Sequence, residues 1–296
     1  MKKKLIIGGI VLAAIIVLGV GGWFLTYQEK SYQVKISDSQ NVLVSGSQIK
    51  VTQQDYFEVL LDQYGANEIL NKAIDIIAEK ELDDQEALDK AVDELTETYT
   101  QYSNGDLEAT AKKYGYESKD EYIDDIIVPA AKQQLLREKY LKEHLDDYIK
   151  DYQVTSFKKI VVDKESTALS LIKDMKSEED FDKKMKEYGD KAEDAGMITK
   201  NSSALDSNLK NALEKLSTLE KDGIYSEAIK LSDDTYAIVY VYDADHKNTD
   251  EIIDKLSSDA DIQEEIEAIY LKKYNFEVHD KKMKDMIKEL SDQYFE

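Results

Sequence analysis

Hydrophobic and polar positions divide the chain into a membrane-length apolar run, a long helical stretch, a mixed middle and a helical return. After Lys2, Lys3 and Lys4 the residues from Leu5 to Leu25 carry no charge. A helix of that length measures ~31 Å and matches a ~30 Å hydrocarbon core. Trp23 and Tyr27 sit at its far end, where amphipathic rings favour the membrane interface. The lysines hold the start in the cytoplasm, so residues 1–27 read as a transmembrane anchor with the bulk of the chain extracytoplasmic at the cell membrane. A cleaved signal peptide competes with this reading. Its apolar region is usually shorter and ends in an A-x-A-like site, whereas "LGVGG" (Leu18–Gly22) offers only small residues.

Residues 28–50 are polar with one short alternation, Val42 and Val44, before a turn at Gly46. This piece reads as a strand or linker. Thr52 then opens a helix, with Asp55 placed for a capping box. Tyr56, Val59, Leu60 and Tyr64, then Ile69, Leu70, Ala73, Ile74 and Ile77, recur at helical spacing. The "YGAN" of Tyr64–Asn67 predicts a kink in that helix. Further helical patterns cover 84–102, 107–114 and 119–152. Pro129, the only proline, predicts a boundary near Ile127 or Val128. Proline is tolerated in a first turn and costs ~3 kcal/mol deeper in a helix.

The period changes at residue 156. "FKKIVV" reads as a strand, with Ile160, Val161 and Val162 supplying β-branched bulk. Two amphipathic helices, a brief extended piece at "GMITK", a helix carrying Leu209, Ala212, Leu213 and Leu216, and the strands "IYSEAIKL" and "TYAIVYVYDA" follow. The order β-α-α-β-α-β-β marks a small α+β domain over 154–245. It lies between helical parts at 28–153 and 246–296, the latter helical over 248–274 and 280–294.

Composition narrows the chemistry. Net charge is -23, with 62 acidic and 39 basic residues, and the three lysines of the leader make the body more acidic still. Such a surface repels nucleic-acid phosphates, so no nucleic-acid partner is expected. There is no cysteine, which excludes disulfides and thiol chemistry. The histidines, His144, His246 and His279, are scattered among charged residues and read as solvated, so neither a metal site nor a Ser-His-Asp triad is expected. No phosphate-binding glycine loop or calcium loop occurs, and no cofactor is expected. Clusters such as "ELDDQEALD" read as solvated helix faces.

Three collinear stretches, "VTQQDYFEVLLDQYGANEILNKAIDIIAEKE", "DKESTALSLIKDMKSEEDFDKKMKEYGDKAEDAGMI" and "YNFEVHDKKMKDMIKEL", resemble the PrsA-like extracytoplasmic foldases of Gram-positive bacteria. These combine a SurA-like helical chaperone domain with an inserted parvulin-type peptidyl-prolyl isomerase module. The resemblance implies an α+β protein: an N-terminal transmembrane helix, a mainly helical chaperone domain formed by the N- and C-terminal parts, and a parvulin-like insertion. It implies unfolded or nascent secreted proteins as partners. Family members are usually held by a lipid-modified cysteine; with none here, Leu5–Leu25 would have to hold the membrane. A homodimer stays open, although no heptad seam fixes an oligomer.

The resemblance also locates the isomerase site. Lys159 falls where the family has its first catalytic histidine and Ala237 where it has the second. Leu205 and Leu209 fall on the Met and Phe of the proline cup, and Gly196 remains from a Gly-Gly-Asp-Leu-Gly segment. Alanine exchanges no proton, and lysine is a point charge on a flexible stem rather than a neutral ring donor and acceptor. Whether the chain is an enzyme is therefore open, and the expectation is a module that keeps the fold and has lost the chemistry. Among the twenty tyrosines, most read as packing with a solvated hydroxyl. Tyr56, Tyr64, Tyr140 and Tyr148 are the candidates for a client-binding surface. Three functions remain in play: a membrane-anchored chaperone with a degenerate parvulin module, an active prolyl isomerase, and a scaffold of a membrane or cell-wall complex.

Overall fold

The computed structural model describes residues 36–203 and 205–295. The expected span Leu5–Leu25 lies outside the described residues; within them, no helix is long and apolar enough to cross a membrane. The described chain forms two compact units. One takes in the residues up to Lys139 together with those from Ala260 on, and the other is Tyr140–Asp259.

The first unit begins with a hairpin, β1 (Val42–Gly46) and β2 (Ile49–Thr52), paired antiparallel with a bulge between Val42 and Val44. Gln48 turns it at φ +65°. Of the piece 28–50 that reads as a strand or linker, residues 28–35 lie outside the described residues, and the rest holds the first strand and part of a second. Thr52 caps helix α1 (Gln53–Glu81) as a capping box: Asp55 N–H donates to the Thr52 hydroxyl at 3.2 Å, and Thr52 N–H donates to the Asp55 carboxylate at 2.8 Å. Each such cap contributes about 1 kcal/mol.

Helix α1 is continuous through Tyr64–Asn67. Gly65 has a packing role there. A Cβ there would meet Leu61 Cδ1 at 2.7 Å and Met283 Cε at 3.0 Å, so the missing side chain admits helix α12 (Lys281–Leu290) against α1. Ala66, Leu70, Ile74, Ile77 and Ala78 form the buried stripe of α1 at helical spacing. Helix α11 (Ala260–Lys273) packs on α1 as well, burying Ile262, Ile266, Tyr270 and Leu271. Each large apolar side chain so buried contributes about 1.5–3 kcal/mol. The N- and C-terminal parts of the chain therefore build one helical body.

Helices α2 (Gln85–Tyr102), α3 (Leu107–Lys113) and α4 (Lys119–Tyr122) follow, with Leu107, Ala111, Tyr122 and Ile127 as their common core. The helical pattern over 119–152 divides at Val128, where Pro129 predicts a boundary, and again at His144. A π-turn at Ile123–Ile127 precedes helix α5 (Val128–Glu143), and helix α6 (Leu145–Asp151) restarts after His144. Pro129 cannot donate to the Asp125 carbonyl, and the bond from Val128 N–H to the Ile123 carbonyl, one residue wider than an α-helical bond, accommodates the loss.

The second unit centres on a five-stranded sheet. Strand β3 (Thr155–Val162) lies between β4 (Ala192–Ile198) and β7 (Tyr236–Tyr242). Two short strands, β5 (Gly223–Ile224) and β6 (Ile229–Lys230), pair along the other edge of β7. "GMITK" is thus the end of a longer strand, and "IYSEAIKL" reduces to two short pairings. One sheet face packs helix α9 (Ser207–Leu216) through Phe157, Ala237, Val239 and Val241 against Leu209, Leu213 and Leu216. The other packs α7 (Glu165–Asp174) and α8 (Glu178–Tyr188) through Ile160, Val162 and Ile238 against Ala168, Leu171 and Phe181. Helix α10 (Thr249–Ser257) lies against α6 and β4 in the same unit. The helix expected over 248–274 is interrupted between Ser257 and Ala260.

Candidate functional site

Two places bear on function. The first is the sheet face of the second unit to which the resemblance assigns isomerase chemistry. In the β3–β7 register Lys159 faces Val239 and Val161 faces Ala237. Lys159 and Ala237 are therefore diagonal neighbours on the face that also carries Phe157. The Lys159 ammonium pairs with Glu193 at 2.9 Å. Ala237 and Leu209 are fully buried in one apolar cluster, and Leu205 packs on its margin. Ala237 and Leu209 are thus enclosed by protein atoms rather than open to a ligand.

Gly196 sits opposite Phe157 at a bulge, where β3 continues from Phe157 to Lys158 while β4 steps from Gly196 to Asp194. Its φ of +66° explains the glycine at this position, since a side chain is strained there. The turn aims Asp194 at two donors, Gly196 N–H at 3.1 Å and the Tyr242 hydroxyl at 2.9 Å. Burial and that bond to Asp194 push the Tyr242 hydroxyl well above the ordinary tyrosine range. On the sheet face away from Ala237, which Tyr242 shares, Lys158 is held by Glu178 at 2.7 Å and Asp182 at 2.8 Å. Burial alone would lower its pKa, but together the two carboxylates raise it, so the charge is fixed. The Asp194 contact with Tyr242 ties β4 to β7, and the Lys158 ion pairs tie β3 to α8.

The second place is the N-terminal half of α1 in the first unit. Tyr56, Val59, Leu60 and Tyr64 are exposed, and their spacing gathers them on one side of the helix. Among the described residues fourteen large hydrophobic side chains are exposed, and ten of them lie between Val42 and Ile76. Beside this stripe opens a groove of about 230 Å³, lined by Leu61 and Ile69 of α1 and by Phe276, Val278, His279 and Met283. An apolar surface of this kind on one element marks an interaction site more often than chance exposure does.

Tyr140 and Tyr148 lie in the second unit. Tyr148 is only 6% exposed, stacked on Tyr152 at 5.6 Å and met edge-on by Tyr140 at 6.1 Å. Tyr152 in turn has the Lys200 ammonium 4.4 Å from its ring centre. The four tyrosines thus fall two in each unit, with Tyr56 and Tyr64 exposed and Tyr148 in packing. Sequence reading missed the groove. Leu61 and Ile69 look like ordinary core positions in the helical pattern, and nothing local indicates that residues 276–283 return to line the same side of α1.

No family model matches the chain, and no curated protein sequence matches it. Solved structures do. A peptidylprolyl isomerase (PrsA) from Bacillus cereus is 19% identical, with 86% of this chain and 99% of that chain covered and a TM-score of 0.47. The foldase protein PrsA from Streptococcus pneumoniae is 18% identical over 86% and 100% of the two chains, with a TM-score of 0.40. PrsA from Bacillus subtilis is 18% identical over 84% and 99%, with a TM-score of 0.42. These solved structures, to which this divergent chain is similar, are PrsA peptidyl-prolyl isomerases and foldases of several Gram-positive bacteria.

Proposed function

We propose that this protein is a membrane-anchored extracytoplasmic chaperone of the PrsA-like foldase type that holds unfolded secreted proteins, and that its parvulin-like module has lost prolyl isomerase activity. The observation that carries the chaperone reading is the exposed stripe of Tyr56, Val59, Leu60 and Tyr64 beside an apolar groove. Tyrosine and aliphatic side chains on a rigid helix grip varied apolar segments without a fixed sequence code, and tyrosine does so at low entropic cost. The acidic remainder keeps a loaded chaperone soluble. Leu5–Leu25 would hold it at the membrane, with the module at 154–245 set between the helical parts 28–153 and 246–296.

Loss of catalysis is supported by Ala237 and Leu209, both buried where a parvulin would present a histidine and an aromatic wall of the proline cup. Rotation about an X-Pro bond faces a high barrier, and nothing at Lys159, Ala237 or Leu209 supplies a polar cluster to lower it.

Two assays on the full chain in detergent or nanodiscs test this reading. Substoichiometric to equimolar protein should suppress aggregation of a chemically unfolded client, and the same protein should leave the cis–trans exchange rate of an X-Pro peptide unchanged. Aggregation that proceeds undiminished would refute the chaperone; proline-dependent acceleration would refute the degenerate module and favour an active isomerase.

A further inference from the structure

The β1–β2 hairpin is an anomaly in this chain. Val42, Leu43, Val44 and Ile49 are all about half exposed, from 49% to 59%. An isolated two-stranded hairpin is marginal in water, and its outer edges present unpaired backbone groups. An apolar hairpin of this kind calls for a surface to lie on.

Charge distribution indicates which surface. From Met1 to Gln54 the chain carries six lysines and only two acids, Glu29 and Asp38. Every other acid of the 62 lies beyond Gln54. The segment from Ser39 to Gln54 has no acid at all and carries Lys50. Lys2, Lys3 and Lys4 stay on the cytoplasmic side in the anchor reading, so the outer part of the leading segment, residues 26–54, is at +1, with Lys30, Lys35 and Lys50 against Glu29 and Asp38, while the body beyond Gln54 is at -27. Such a body is repelled by an anionic lipid surface, while the nearly neutral hairpin segment can approach it without that repulsion. The chain places the hairpin close to that surface as well. Sixteen residues separate Leu25 from Val42, a connection that spans at most about 55 Å fully extended and about 20–25 Å as a flexible coil. A surface tethered this closely is met at an effective concentration in the millimolar range.

We infer that the Val42–Thr52 hairpin docks on the outer lipid surface, with Val42, Leu43, Val44 and Ile49 at the boundary between headgroups and acyl chains. This rests on the reading of Leu5–Leu25 as a membrane anchor. The headgroup layer is wet, so the unpaired strand edges stay hydrated there, which they could not be deeper in the bilayer. Docking fixes the start of α1, and with it the client-binding stripe, at a short distance from the membrane.

The absence of cysteine makes the test direct, since Leu43→Cys creates a unique thiol. The full chain carrying an environment-sensitive fluorophore at that thiol is reconstituted into phosphatidylcholine vesicles, with and without phosphatidylglycerol and with spin-labelled lipid as quencher. Lys90→Cys, on the exposed face of α2, is the reference. The Leu43 probe should shift to the blue and lose most of its emission to the lipid quencher, with or without phosphatidylglycerol, while the probe at residue 90 keeps its aqueous spectrum. Adding Val44→Asp and Ile49→Asp should return the Leu43 probe to the aqueous spectrum. If the chain floats with vesicles but the Leu43 probe reads water, the docking inference alone is overturned. If the chain does not float with vesicles, the anchor reading falls and takes the inference with it. A blue shift that follows protein density rather than lipid would assign the hairpin to a second copy, and one that appears only with unfolded client would assign it to substrate; either overturns the inference.

Discussion

The Tyr274 hydroxyl donates to Glu81 Oε1 at 2.9 Å, joining the end of α1 to the end of α11 from far apart in sequence. The same carboxylate pairs with Lys273, and the Lys139 ammonium donates to the Glu81 carbonyl at 2.7 Å. One residue thus fastens three helices of the first unit.

Lys273 leads the groups that hold Glu81 below the ordinary glutamate value of 4.5, with Tyr274 and Lys139 adding to it against the opposing effect of burial. A depressed carboxyl contributes stability that is present above its unfolded pKa and lost as pH falls through its folded pKa. The lysine partner is half exposed, so the pair is screened. Glu81→Gln should cost about 1–2 kcal/mol at neutral pH. That difference from the parent should shrink as pH drops below 4.5, which denaturant titrations at several pH values will read out. A constant gap across that range would mean the carboxylate charge is not what matters.

Gly65 gives a packing prediction. In Gly65→Ala the new methyl meets the Leu61 side chain, Cδ1 at 2.7 Å and Cγ at 3.2 Å, and the flexible end of Met283 at 3.0 Å, and alanine's helix propensity offsets the squeeze by about 1 kcal/mol. Stability should therefore change little. Gly65→Leu has no such escape; overpacking should cost about 1–3 kcal/mol and displace α12. Thermal unfolding of both variants measures the contrast, and equal tolerance of alanine and leucine would show that α12 does not close on this position.

The proposed loss of isomerase activity predicts that a histidine placed at position 237 brings no chemistry. Ala237 is fully buried in the cluster that holds Phe157, Leu209 and Val239, so Ala237→His must force an imidazole into a filled core. The expected outcome is a loss of about 1–3 kcal/mol with no gain in peptide isomerisation, alone or with Lys159→His. A double variant that accelerates exchange would show that the cup is still available.

The α1 stripe predicts a functional loss without a structural one. Tyr56 and Tyr64 are 54% and 42% exposed. Replacing both, as Tyr56→Ser with Tyr64→Ser, should leave the melting temperature nearly unchanged. Client aggregation should then be suppressed markedly less well. Retained suppression would move the binding surface off this helix.

Local signals in the sequence were sufficient where the physics is local. Thr52 and Asp55 announce their capping box, the β-branched run at Ile160–Val162 announces a strand, and the helical period places Leu70, Ile74 and Ile77 on a buried stripe. Pro129 marks the helix boundary because a missing N–H acts within one turn. The charge asymmetry on either side of Gln54 is likewise complete in the sequence.

Tertiary structure decided whatever depends on a distant partner. Gly65 looks like a helix breaker until Met283 arrives against it, and Gly196 acquires its role only from the bulge opposite Phe157. Tyr56 and Ile74 share one apolar period, yet Tyr56 is exposed and Ile74 buried, because the buried part of α1 begins only at Gly65, where Met283 packs. Periodicity names the face a helix would bury; which part of that face finds a partner is settled by chain segments brought together from far apart in sequence.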